Sequence, residues 1–428
     1  MHQIGYRMFK KLLPKSEFGR HALTLVTGST IAQAIPIAIS PILTRLYTPA
    51  EYGTFSLYLS IASIFAIMGT GRYELAIMLP EDDSDAHSLA RASFILTAIL
   101  SSALFLIILP FRSSIAALLE APDLENWLLF IPLSVLLTAS LQTLNLLSNR
   151  HKQYRKLSYS KIAQSAASGT THISLGLDKM GAGGLISGNI LGLAVSSTLL
   201  MRNHLVQKPH FSNWKRTREL LKHYKKMPLL NLPNALLDGA RLSGINILIS
   251  SIFSSSVLGQ YSLGWKTVQT PLAIVGTSLS QVFYQDISRR KKSELFSITV
   301  AFVLRISLIA APLFLGIYLF SADIFTFVFG RNWTIAGEVA SALSSWLFLN
   351  FVSTPLAFIY LVLNKQEIML LISFVYAATP LSILWFWSGS NFLYVINLIN
   401  TSMSVVLVGF ILATLVVIRQ QHGETDEL

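Results

Sequence analysis

Residues 295–320 read LFSITVAFVLRISLIAAPLFLGIYLF, an apolar run broken by a single charge, Arg305, near its middle. A helix needs about 20 apolar residues to cross the hydrocarbon of a bilayer, so this stretch reads as a membrane span. Outward from it, the same pattern recurs between polar breaks and predicts about twelve spans. They cover residues 21–43, 53–79, 89–110, 127–148, 160–177, 183–201, 228–253, 259–287, 295–320, 335–363, 368–387 and 392–418. The fifth, with Gln164, Ser165, Thr170, Thr171 and His172, is the least apolar. Of the 428 residues 52% are hydrophobic and 13% charged, with a mean hydropathy of +0.56. That composition excludes a soluble enzyme and a disordered chain alike. The expected fold class is an all-α polytopic membrane protein.

The chain has no cysteine, which removes disulfides, thiolate metal sites and cysteine nucleophiles. The formal charge of +12 sits in the loops between spans, so it points to topology and not to nucleic acid. Arg7, Lys10, Lys11, Lys15 and Arg20 precede the first span, and Arg150, Lys152, Arg155, Lys156 and Lys161 follow the fourth. Arg202, Lys208, Lys215, Arg216, Arg218, Lys222, Lys225 and Lys226 fill the longest loop, and Arg289, Arg290, Lys291 and Lys292 follow the eighth span. The alternate loops hold only Arg45, Arg112, Lys179 and Arg331. Short basic loops stay on the cytoplasmic side, so both termini of this multi-pass chain are expected there.

Gly53-Thr54-Phe55-Ser56-Leu57 is echoed by Gly259-Gln260-Tyr261-Ser262-Leu263 about half a chain later. Spans two and eight are six apart, so the halves read as parallel six-helix repeats, the plan of a two-lobe transporter around a central cavity. The expected organisation is an N-terminal lobe over 1–201, a basic cytoplasmic connector over 202–227, a C-terminal lobe over 228–418 and a tail over 419–428. Within the connector, residues 214–224 are amphipathic enough to lie on anionic lipid, but simple topogenic charge is the preferred explanation.

Ionisable groups inside a bilayer are costly, so those retained line polar cavities or pair with one another. Arg72, Arg241, Lys266 and Arg305 are the candidate cations of an anion-binding cavity, and Glu74 and Asp238 the candidate ion-coupling acids. Arg72 and Glu74, two apart, would diverge on a regular helix, although Gly69 and Gly71 allow local unwinding. Arg241 stands three residues after Asp238 and can pair with it. His172 reads as a packing or hydrogen-bonding residue, and Gly184, Gly188 and Gly192 as a stripe for close helix packing. Several cations spread over both halves suit a phosphate or diphosphate head group.

The stretch Glu81-Asp82-Asp83-Ser84-Asp85 resembles a magnesium-binding cluster of a transferase, but no second cluster exists and a solvated, helix-capping loop explains it. Phosphate-loop, zinc-protease and nucleophile-elbow motifs are missing, so no catalytic residue, metal or cofactor is expected.

The run 43–53, LTRLYTPAEYG, then Gly71-Arg72-Tyr73-Glu74-Leu75-Ala76, Gln281-Val282-Phe283-Tyr284 and Phe329-Gly330-Arg331-Asn332-Trp333 occur in an order that resembles the bacterial O-antigen and polysaccharide flippases of the multidrug/oligosaccharidyl-lipid/polysaccharide exporter superfamily. The resemblance implies a flippase for an oligosaccharide carried on a polyprenyl diphosphate, with Arg72 and Lys266 matched to its cationic cavity. It also implies lipopolysaccharide or other polysaccharide biosynthesis as the setting, with anionic lipids, a polysaccharide polymerase and chain-length proteins as candidate partners. A multidrug or cation exporter and a peptidoglycan-precursor flippase are the alternatives within the superfamily.

Overall fold

The computed structural model describes residues 17–206, 213–363 and 365–426, helical almost throughout and without a strand among them. Arg7, Lys10, Lys11, Lys15 and Lys208 of the basic loops lie outside the described residues, as do Glu427 and Leu428. The principal helices are α1 (Glu17–Leu46), α2 (Pro49–Gly69), α3 (Asp83–Leu118), α4 (Ile131–Arg150), α5 (Tyr154–Leu177), α6 (Ala182–Val206) and α7 (Trp214–His223). They continue with α8 (Leu232–Ile252), α9 (Ser255–Ile287), α10 (Leu295–Phe329), α11 (Thr334–Ala342), α12 (Ser344–Ser353), α13 (Gln366–Phe386) and α14 (Phe392–Asp426). Each of the twelve expected spans meets a helix or a chain of helices.

Among the described residues nine segments are long and apolar enough to cross a membrane. The helices over expected spans one, five and eight are not among them, although α1, α5 and α9 have 30, 24 and 33 residues. Length is therefore sufficient, and for α5 and α9 polar content sets them apart: both carry rows of Ser, Thr and Gln. The polar faces of such helices belong against protein and not against lipid chains.

Local chemistry explains the departures from straight spans. The seventh begins as a π-turn over Met227–Asn231 with Pro228 in its first positions, followed directly by α8. The tenth is broken into α11, α12, a 3-10 turn over Thr354–Leu356 and a short helix over Ala357–Val362, with Pro355 at the break. The last helix runs on through most of the residues expected as tail.

The chain divides into two units, Met1–Tyr47 with Tyr58–Gly239, and Thr48–Leu57 with Ala240–Leu428. In the first, the glycine stripe does what its spacing implies: Gly184 meets Tyr47, Gly188 meets His172, and Gly192 meets Ser168, each too closely for a side chain. Its backbone approach lets His172 Nε2 donate to the Leu185 carbonyl at 2.9 Å, so this histidine is spent on helix packing. In the second unit Phe283, Ile287, Leu356, Ile359, Tyr360 and Phe410 form a core.

Two of the flippase-like phrases meet in that second unit, through Tyr52 and Trp333. Tyr52 packs edge-on against the buried Trp333, with ring centroids 5.1 Å apart. Gln260 donates to the Asn332 carbonyl at 2.6 Å and accepts from the Ala336 amide at 2.9 Å, and so fastens the turn at Gly330 to α9. Gly330 has φ 101°, which a side chain would strain.

Candidate functional site

The first cluster of predicted charges lies in a turn. Helix α2 ends at Gly69 after 21 residues, about 30 Å from Pro49, so Arg72 stands past the end of this helix and not within a continuous span over 53–79. Gly71 (φ 58°) and Arg72 (φ 62°) both take the left-handed conformation, and a 3-10 helix follows over Tyr73–Met78. The glycine takes this conformation freely; the arginine does so at a cost of about 1 kcal/mol or more. The reversal corrects the expectation that Arg72 and Glu74 diverge. Arg72 Nη1 lies 3.4 Å from Glu74 Oε1, and the Thr70 hydroxyl donates to the other carboxylate oxygen. Glu74 is 2% exposed, whereas Arg72 keeps a quarter of its side chain accessible. Arg72 Nε is buried with no hydrogen-bond partner among the described residues, so the guanidinium is only half committed to its acid.

Arg150, expected as topogenic charge, organises the next loop. It donates to the carbonyls of Ile77 (3.0 Å), Pro80 (2.7 Å) and Glu81 (3.1 Å), and its Nε lies 2.8 Å from Asp83 Oδ1. Asp85 pairs with Arg216 at 2.7 Å, and that hydrogen bond raises the Arg216 pKa above its ordinary value. Two acids of the supposed magnesium cluster are thus held by arginines. Helix α7 docks by the same contact: Leu220 is buried with Ala76, Ile77, Ala86 and Leu89, while Trp214 stays exposed.

The second cluster gathers in the second unit. Arg241 lies over the ring of Tyr376 at 4.9 Å, with Nε buried and without a hydrogen-bond partner among the described residues, and makes no ion pair with Asp238, contrary to the spacing argument. The aromatic face takes the place of the acid because it holds the guanidinium without asking the exposed Asp238 to turn inward. The Tyr376 hydroxyl accepts from Trp346 Nε1 at 3.0 Å and faces Asn350 Oδ1 at 3.4 Å. Trp346 in turn contacts Trp265 (4.8 Å between centroids), which stacks near Tyr261 at 6.2 Å. Asn400 accepts from the Trp346 amide at 2.9 Å.

Lys266 follows Trp265 about 17 Å along α9 from Ser255, exposed and without an ion pair among the described residues. Arg305 is not part of this cluster. It lines a groove between α9 and α10 together with Arg289.

Sequence reasoning missed the aromatic and amide residues around Arg241. The signal available was the concentration of Trp265, Trp346, Tyr376, Asn350 and Asn400 in segments otherwise apolar, but nothing local ties them together.

Helices of this number and order have the fold of solved membrane transporters. The chain is similar to the Lipid II flippase MurJ in an inward closed conformation, at 12% identity over 92% of this chain and 87% of that one, with a TM-score of 0.71. It is also similar to a MOP superfamily transporter from Pyrococcus furiosus (14% identity, 94% and 96% covered, TM-score 0.63) and to the Vibrio cholerae MATE transporter VcmN (16%, 94% and 96%, 0.59). No curated protein matches it. Residues 42–338 match the model of the polysaccharide biosynthesis protein family, and the chain belongs to that family. It is a multi-pass membrane protein with the fold of the MOP superfamily.

Proposed function

We propose that the protein is a flippase that carries a polyprenyl-diphosphate-linked oligosaccharide, an O-antigen or other polysaccharide repeat unit, across the bacterial inner membrane by alternating access of two lobes. The observation that carries this reading is Lys266: a cation about 17 Å along a membrane helix, without an ion pair among the described residues, and next in sequence to Trp265, whose ring joins the aromatic and amide cluster that also holds Arg241. An unpaired lysine at that depth calls for an anion. Aromatic rings and amides next to it suit a sugar, whose faces are apolar and whose rim is polar.

In this reading Lys266 and Arg241 hold the diphosphate and first sugar, and Arg72 makes a further anion contact. Glu74 is the leading ion-coupling acid, because an anion drawing Arg72 away would leave its carboxylate with Thr70 alone. Asp238, exposed on α8, is the second. The protein works as a carrier and not as an enzyme, with both termini cytoplasmic. A polysaccharide polymerase and chain-length proteins are its partners in assembly. A peptidoglycan precursor is the second reading, favoured by the similarity to the Lipid II flippase.

Proteoliposomes loaded with the lipid-linked repeat unit test it. K266E and R72E should each abolish translocation while the protein elutes as a folded species. Parental transport by both variants overturns the assignment, and a lipid II molecule as the main co-purified lipid by mass spectrometry moves the reading to the alternative.

A further inference from the structure

Helices α9 and α10 diverge on either side of a cavity of about 880 Å³ near the basic link that joins them. Its wall is apolar, with Val282, Phe283, Ile298 and Phe302 among the lining residues. Val282 is 67% exposed and Ile309, at its far end, 75%, so in a membrane the groove opens sideways to lipid. Three arginines and one acid are the charged groups that line it: Arg289, Arg290, Arg305 and Asp286. Asp286 is taken by Arg290, at 3.2 Å, and Arg290 also faces Glu294 at 3.6 Å. That leaves Arg289 and Arg305 without an ion pair among the described residues.

Arg305 stands about 15 Å along α10 from Leu295. Side chains on a helix lean toward its N-terminus, so Arg305 leans back toward the link that carries Arg289. A guanidinium on a lipid-facing groove needs an anion or water, and the apolar wall beside it suits a hydrocarbon chain. Only Gln285 and Ser297 are neutral polar groups in the lining, too few to hold an oligosaccharide.

We infer that this groove binds an anionic glycerophospholipid, with its phosphate between Arg289 and Arg305 and one acyl chain along Phe283, Ile298 and Phe302. The site is separate from the Lys266 cluster, and the inference does not rest on the transport reading. A bound lipid of this kind neutralises Arg305 and seals the gap between two helices at the leaflet where the link lies.

Native mass spectrometry of the full chain, offered equal amounts of phosphatidylglycerol and phosphatidylcholine, measures the preference. The parent should retain phosphatidylglycerol, and R289Q/R305Q should lower its affinity by about twenty-fivefold, the product of two cations worth about fivefold each. R289K/R305K should keep the preference. Photo-reactive phosphatidylglycerol should label residues within 282–305 of the parent, which tests the site even if the glutamine variant does not fold. A parent without preference, an unchanged glutamine variant or labelling elsewhere overturns the inference. Displacement by an equimolar polyprenyl diphosphate also overturns it, by assigning the groove to the carried lipid.

Discussion

The amide nitrogen of Gly53 lies 3.0 Å from where a Cβ on Gly259 would stand, and the Gly259 amide lies 3.0 Å from the same point on Gly53. The reciprocity extends one turn back in each helix. A side chain on Gly53 would strike the Ser255 carbonyl, and one on Gly259 the Pro49 carbonyl, each four residues before the opposing glycine. The contact thus maps onto itself when first-half and second-half residues are exchanged. The repeated Gly-x-aromatic-Ser-Leu phrase is a symmetric helix crossing, in which absent side chains let backbones touch.

Alanine at either position should therefore destabilise the protein more than a buried methyl ordinarily does, because the obstacle is backbone and no rotamer change relieves it. The expected loss is about 1–3 kcal/mol for G53A or G259A. Thermal unfolding in detergent, followed by size-exclusion fluorescence, should show both variants melting below the parent, by similar amounts.

The turn at Arg72 permits a separation of stability from function. R72G removes the strain of a left-handed arginine, of about 1 kcal/mol or more, but leaves Glu74 buried with only Thr70. E74A leaves both partners behind and should cost about 1–3 kcal/mol. The double variant R72G/E74A should recover part of that loss. Melting curves of the four proteins give the coupling directly; strictly additive losses would mean that the 3.4 Å pair carries no energy.

Nine of the expected spans were legible because a bilayer imposes length and apolarity on every helix that touches lipid, as in residues 295–320. The all-α class and the superfamily fold follow from that pattern and from the flippase-like phrases. The site was legible only as a set of charges. That Arg72 folds back on Glu74 depends on a non-glycine residue adopting positive φ, a choice made by the buried surroundings of Glu74 and not by local propensity. Arg241 found Tyr376 in place of Asp238 for a related reason: two groups 135 positions apart cannot be paired from spacing, and an aromatic face leaves no charge pattern to follow. Arg305 read as a cavity residue, and it lines the groove between α9 and α10; a mid-span charge does not say which neighbours share that lining.

Arg150 gathers three carbonyls and one carboxylate, so its loss should loosen the loop over residues 77–83 as a whole. R150A should cost about 1–3 kcal/mol, and R150K, which cannot reach several acceptors from one planar group, should recover little of it. Limited proteolysis should show faster cleavage in this loop in both variants, with the rest of the chain protected as in the parent.

Lys266 gives the clearest contrast between stability and transport. Nothing among the described residues pairs with its ammonium, so K266Q removes a charge from the membrane segment without orphaning a partner. Its melting temperature should equal or exceed that of the parent. An anion held by a charge-assisted hydrogen bond loses about 1.5–3 kcal/mol with that donor, which slows transport roughly tenfold to a hundredfold. K266R keeps the charge and should keep a measurable rate. Y376F serves as the control nearby: it leaves Trp346 Nε1 without its 3.0 Å acceptor and should lower stability, while Arg241 keeps a ring beneath it. Flipping rates and melting curves on the same proteoliposome preparations decide the matter. If K266Q transports at the parental rate, the lysine is an interfacial charge and the anion must be held elsewhere.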